Sequence, residues 1–307
     1  MPASRPSSPP STRLLPVAVV ALGVACLSLM DAFMKEAALV TGTYTATLLR
    51  SLVGAALIAP VWLWRFPGWP TRAVLNLHIE RGVISAVMAL TFFFALTRLP
   101  IAEAIALGFI APLIALYLAR ILLGEIVEPR AISASVLGFV GVLIIVGGKL
   151  GRGDLDSDAA LGLVSLAISA LLYAYNFIVI RRQSQVAGPV EIATFHSGIG
   201  GLVLLIFAPF FAATPRPEAL LTIIAAGALT VIAAMALAWA YARAEAQALV
   251  PMEYSGFLWA SLFGWLFFRE ALTPATLAGA VLIVAGCWLA AGSRSQPGSK
   301  GATDSQT

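Results

Sequence analysis

Charge, cysteine and histidine are scarce in this chain. Only 11% of its 307 residues are charged, against about 25% in a soluble domain, while 60% are hydrophobic and the mean hydropathy is +0.94. That balance excludes an ordinary soluble globular domain. The two cysteines, Cys26 and Cys287, fall inside apolar runs, where they read as small packing residues rather than as a disulfide. There are two histidines, His78 and His196, and no CxxC, HExxH, GxSxG or phosphate-binding glycine loop. Without such motifs no metal or organic cofactor is expected. The sequence pI is near 9.3, yet the basic residues sit singly between apolar stretches. No patch follows a phosphate backbone, so nucleic acid is not an expected partner.

What is present is long hydrophobic runs. Ten can be drawn, at 14–34, 43–64, 79–97, 101–122, 131–149, 159–180, 190–212, 219–240, 247–268 and 274–291, each near the ~20 apolar residues that span a bilayer as helix. Charge or turn clusters such as "DAFMKE", "RFPGWPTR", "GEIVEPR" and "GRGDLDSD" separate them. Residues 1–13 form a Pro/Ser-rich basic tail and 293–307 a polar one, both expected to be disordered and cytoplasmic. The tail and the run behind it also resemble a secretory signal; a retained first helix is the favoured reading, because nine more spans follow. With both termini inside, the connections hold twelve Lys and Arg on the inner side and six on the outer, Arg50 standing apart in the membrane. The positive-inside rule therefore places both termini in the cytoplasm.

The chain repeats itself. A shift of 145 residues lays "ALTRLPIAEA…LGEIVEPR…VLGFVG" on "AYARAEAQAL…FREALTP…VLIVAG". Arg98 then falls on Arg243, Ala115 on Ala260, Glu125 on Glu270, Pro129 on Pro274 and Gly141 on Gly286, with Asp31 on Asn176. Each unit, 14–149 and 159–292, holds five segments. An odd number forces the second copy to cross the membrane upside down, an arrangement that recurs in secondary transporters. The predicted class is an all-α membrane protein of ten transmembrane helices in two inverted five-helix repeats.

The two "E-x-x-x-P" turns, Glu125/Pro129 and Glu270/Pro274, the arginine part-way into helix two and the stretch "PMEYSGFLWASLFGWLFFRE" (251–270) together resemble EamA-type carriers of the drug/metabolite transporter superfamily. The similarity is greatest to a bacterial subgroup with uptake carriers for riboflavin and S-adenosylmethionine, and it covers about residues 14–292. It implies a ten-helix, five-plus-five fold in the bacterial inner membrane, with a central cavity lined mainly by helices one, three, four, six, eight and nine. The halves depart from one another at one point: Pro112 in helix four falls on Phe257, and helix nine carries its proline earlier, at Pro251.

Polar residues inside the runs are the candidates for function. Arg50 lies about seven residues into helix two, roughly 10 Å along it at 1.5 Å per residue. Its charge costs at least about 2.5–3.5 kcal/mol at the bilayer centre. Asp31 is its expected partner, since carboxylate and guanidinium fit bidentately; permanent pairing, snorkelling, or exchange between Asp31, Glu103 and a substrate anion all remain open. Glu253 is expected some six residues into helix nine, beside Gly256, Ala260 and Gly264, a small face that lets helices approach. It suits a proton carrier or a cationic group of the substrate. Glu103 is either a cavity residue or an interfacial charge. Tyr175 and Asn176 on helix six (with Tyr173), Trp239 on helix eight, and Tyr254 and Trp259 on helix nine are candidates to clamp a planar or cationic ligand. Trp62, Trp64 and Trp69 read as interfacial anchors, His196 as a packing residue, and Glu125 and Glu270 as caps of the helices beside their prolines.

The expected function is secondary transport of a small polar metabolite by alternating access, with proton coupling or a substrate gradient as the drive. A passive channel and a multidrug or metabolite exporter of the same fold are the alternatives. An intramembrane enzyme fits less well, because no cluster of His, Asp or Glu and no Ser/Lys pair lies at depth. The expected partners are a small-molecule substrate and the lipid bilayer, the protein being a monomer or a homodimer.

Overall fold

The computed structural model describes residues 11–65, 68–123, 129–152, 156–241, 243 and 252–291, and every element assigned among them is a helix. In chain order these are α1 (Ser11–Thr41), α2 (Thr43–Arg65), α3 (Arg72–Leu96), α4 (Ile101–Gly108), α5 (Ala111–Leu123) and α6 (Pro129–Arg152). Then come α7 (Ser157–Gln183), α8 (Pro189–Phe211), α9 (Pro217–Tyr241), α10 (Gly256–Phe268) and α11 (Pro274–Ala291). Seven stretches are long and apolar enough to cross a membrane, α4 and α5 counting together as Ile101–Leu122. Three shorter apolar helices, Ser135–Lys149, Gly256–Phe268 and Pro274–Gly286, lie where the fifth, ninth and tenth runs were drawn. The chain is thus an all-α, multi-pass membrane protein.

Several boundaries move from their expected places. The first helix does not break at "DAFMKE" but continues to Thr41, and the chain reverses at Gly42, whose φ of 87° suits a residue without Cβ. Asp31 and Lys35 are therefore inside a membrane helix, not in a connection. The third helix begins at Arg72, seven residues earlier than its apolar run, because Thr71 caps it by accepting from the Val74 N–H. Helix four is split: residues 109–110 form a turn, since Pro112 has no N–H to bond the Gly108 carbonyl. Similarly, residues 254–255 form a turn before α10. There the Ser255 hydroxyl donates to the Met252 carbonyl at 2.6 Å, a local bond that competes with helix continuation.

Packing follows a paired pattern. Exchanging each helix of the first half for its counterpart in the second converts α1–α9 into α7–α3, α2–α9 into α8–α3, and α1–α10 into α7–α5, and all of these pairs are in contact. The pairs α2–α8 and α6–α11 map onto themselves. The repeat extends to side chains. Arg98 lies 3.6 Å from the Phe94 ring centroid and Arg243 lies 4.2 Å from that of Trp239, and each arginine donates to the carbonyl of the aromatic it covers. Phe94 and Trp239 are themselves 145 residues apart.

The α6–α11 crossing depends on bare backbone. A Cβ on Gly141 would stand 2.6 Å from the Gly279 carbonyl oxygen, and one on Gly279 would stand 2.5 Å from that of Gly141. Nothing lies within 4 Å of a Cβ on Gly147 in the same α6 helix. In lipid such close approach is a main source of helix association. Gly141→Ala or Gly279→Ala is expected to destabilise the purified protein by about 1–3 kcal/mol, and Gly147→Ala to leave it unchanged or slightly stabilised, read from unfolding midpoints in detergent.

Candidate functional site

Three polar assemblies lie within the bundle. The first joins the C-terminal parts of α1, α6 and α10 to the starts of α4 and α11. Lys35 pairs with Glu270 at 2.5 Å and donates to the Leu99 carbonyl at 2.7 Å, while the other Glu270 oxygen accepts from the Ile101 N–H at 2.7 Å. Alongside, Lys149 pairs with Glu103 at 2.9 Å, and Thr276 donates to Glu103 at 3.3 Å. Lys35, Glu103 and Lys149 are all buried. Glu270 reaches this place because Arg269 takes a left-handed conformation (φ 56°) at the end of α10. The carboxylate then folds back over Gly264, where any Cβ would stand 2.6 Å from it. A cavity of about 160 Å³ adjoins Glu103, Lys149 and Glu270, lined also by Ser261 and Thr273. Glu270 thus caps α4, not the helix beside its own proline; Glu125 lies outside the described residues.

The second assembly is at the opposite end, between α3, α7 and α8. Gln183 donates to His78 Nδ1 at 2.5 Å, which leaves His78 Nε2–H to donate to Glu191 at 2.9 Å. The Gln183 carbonyl accepts from Arg81 at 3.0 Å, and Asn176 accepts from the same guanidinium at 3.3 Å. His78 stacks on Phe195 with centroids 4.4 Å apart. Nearby, Tyr175 donates to Glu80 at 2.5 Å.

The third lies midway along the bundle. Arg50 donates to Thr230 at 3.4 Å and sits 5.3 Å from the Phe93 ring. Contrary to expectation, Asp31 makes no ion pair with it within 4 Å; the two charges act on each other only at longer range. The reason is geometric: Asp31 is mid-helix in α1, while the Arg50 side chain turns toward α9 and α3. Tyr173, on α7, is partly exposed as a residue, while its hydroxyl is buried within electrostatic reach of Asp31, Glu253 and Arg81. A hydroxyl with charges from three other parts of the chain around it lies toward the bundle interior, not lipid.

The expected site residues are therefore scattered over these assemblies. Asp31 is buried, within electrostatic reach of Tyr173 and Arg50. Glu253 is exposed and helical, immediately before the turn at 254–255; the residues expected to precede it in helix nine, 247–251, lie outside the described residues. Asn176 and Tyr175 are engaged at the second assembly, and Glu103 at the first. Trp239 lies under Arg243 and, with Trp259, packs against Val20, Val24 and Ala240; Tyr254 meets Phe109 edge-on. The small face of Gly256, Ala260 and Gly264 is buried as expected, and Ser28 of α1 donates to the Gly256 carbonyl at 3.4 Å. Trp62 is no anchor: it is buried between Trp69 and Phe195, whereas Trp64 and Trp69 are exposed. Lys35, Arg81 and Lys149, counted at first among the connections, are buried inside helices. The apolar "AALV" after Lys35 was the available signal that α1 runs on past it.

Ionisable groups facing each other across a helical bundle in lipid define a membrane transport protein more readily than a structural one. The comparisons agree. The EamA-like transporter family matches the chain twice, at residues 14–147 and 160–292, and the chain belongs to that family. It is 29% identical to the pseudopaline exporter CntI of Pseudomonas aeruginosa over 265 residues, covering 85% of this chain and 90% of that one. It is 31% identical to a riboflavin transporter of Rhizobium johnstonii over 214 residues, 67% of each. One crystal structure superposes with a TM-score of 0.60 over 91% of this chain and all of that chain, at 21% identity, a likeness of fold alone.

Removing one member of a buried ion pair strands the other and costs about 3–5 kcal/mol, whereas removing both costs far less. Lys149→Met is therefore expected to lower stability sharply, and the double variant Glu103→Gln/Lys149→Met to recover most of the loss, in a double-mutant cycle of detergent unfolding.

Proposed function

We propose that the protein is a secondary transporter that carries a small polar metabolite across the bacterial inner membrane by alternating access. Its ten crossings would form two inverted five-helix repeats with both termini in the cytoplasm. The observation that carries this reading is the gathering of Asp31, Arg81 and Glu253 around the Tyr173 hydroxyl, groups that would line a polar compartment between two tied ends. The Lys35/Glu270/Glu103/Lys149 assembly ties one end. The Glu191–His78–Gln183–Arg81 chain ties the other. In alternating access one set of contacts opens while the other holds, so that the compartment meets one side at a time.

The inverted repeat is supported by the exchange symmetry of the helix contacts and by the matched Arg98/Phe94 and Arg243/Trp239 pairs. Orientation is supported by the positive-inside count. Taking the buried Lys35, Lys149 and Arg81 out of it leaves eleven basic residues inside against four outside. Relatives that include a named exporter and named riboflavin transporters fit a carrier whose direction follows the gradient imposed on it.

Counterflow in proteoliposomes tests the reading against a passive channel. Saturable exchange is expected, and flux without it would discard the carrier. A charge-assisted contact contributes about 1.5–3 kcal/mol. Asp31→Asn and Glu253→Gln are therefore expected to lower exchange at least about tenfold without changing the unfolding midpoint by more than a few degrees.

A further inference from the structure

The Arg50 guanidinium borders a small chamber between α2, α3, α8 and α9 that the transport reading leaves unassigned. Arg50, Ser51, Ser85, His196, Ser197 and Thr230 supply its polar lining, and Gly54 and Gly200 let the helices close around it. The cavity measures about 20 Å³, room for one water-sized group. Three polar atoms buried beside it have no hydrogen-bond partner: Arg50 Nε, Ser85 Oγ and His196 Nδ1. Two of the three residues are certain donors, since a guanidinium only donates and a serine hydroxyl can donate. Two other lining hydroxyls are already committed. Thr230 donates to the Ala226 carbonyl and Ser51 to that of Thr47.

Charge decides what belongs there. Among the described residues neither Arg50 nor Arg81 has a carboxylate in ion-pair contact: Arg50 bonds a hydroxyl, and Arg81 bonds two neutral amides. Both guanidinium groups act on His196 at the chamber wall. The nearest acid with an influence on Arg50 is Asp31, which does not line the chamber. Unpaired buried charge is costly unless a counter-charge arrives, and orphaned donors turned into one void are the arrangement that receives one.

We propose that this chamber is an anion receptor in which Arg50, Ser85 and His196 hold a single anionic atom, one oxygen of a carboxylate on the cargo. A halide ion has the shared chemistry and could occupy the same place. The proposal rests on the transport reading only in naming cargo as the source of the carboxylate; the binding itself does not require transport.

The test uses the purified full chain in nonionic detergent, titrated with sodium formate, sodium chloride or formamide while the unfolding midpoint is followed. Formate is expected to raise the midpoint by a few degrees in a saturable way, as a ligand of the native state does. Formamide, its neutral counterpart, is expected to do nothing. Ser85→Ala removes one donor with little risk to folding and is expected to weaken the apparent affinity for formate at least about tenfold; Arg50→Gln is expected to abolish the effect. A saturable response to chloride alone, lost in the same variants, would keep the anion receptor but assign it to a resident halide. No saturable shift with either anion, an equal response to formamide, or a shift unchanged in Ser85→Ala and Arg50→Gln would overturn the proposal. Because no gradient or vesicle is involved, failure here leaves counterflow exchange untouched, and failure of counterflow leaves a saturable shift standing.

Discussion

Lipid offers a polar group no hydrogen bond, so every donor, acceptor and charge carried into the bilayer needs a partner within the protein or in water that the protein admits. This fold is a set of answers to that constraint. Helices satisfy the backbone. Lys35 and Lys149 find Glu270 and Glu103, and the Glu270 carboxylate also takes the Ile101 N–H that no residue of α4 could satisfy. At the far end, His78, Gln183, Arg81 and Glu191 form a chain in which each donor faces an acceptor.

The two ends use different chemistry. One relies on full ion pairs, which are strong when formed and costly when halved. The other holds Arg81 with neutral amides and leaves its charge uncompensated at contact distance. An assembly of the first kind resists opening until its members exchange partners together; the second yields one hydrogen bond at a time. Between them lie Asp31 and Glu253, both within electrostatic reach of the Tyr173 hydroxyl. The proposed compartment there would take up a polar solute only if the groups around it accept new partners, and that requirement links the packing of the bundle to its proposed work.

Much of the architecture was readable along the chain. Apolar runs locate helices because burial in lipid needs a minimum length of uninterrupted hydrophobicity, and each of the ten runs overlaps a described helix or helix pair. The 145-residue repeat marked Arg98 and Arg243 as equivalent, and they make equivalent contacts. The site was less legible. Hydropathy places a Lys near the end of a run in a connection, so Lys35 and Lys149 were assigned to the surface although both are buried. Trp239 and Trp259 looked like clamps by residue type, but the bundle packs them together against α1. Asp31 and Arg50 are complementary in charge without being in contact, which no spacing along a sequence can decide.

By itself the sequence determined that this chain lives in lipid, roughly where its helices run and that its halves repeat, because those properties depend on composition and period alone. The tertiary structure decided which of those residues meet. Several partners here lie more than a hundred residues apart, such as Lys35 with Glu270 or Arg50 with Thr230. Distance through space, not along the chain, governs whether two charges neutralise each other or leave a site for a third.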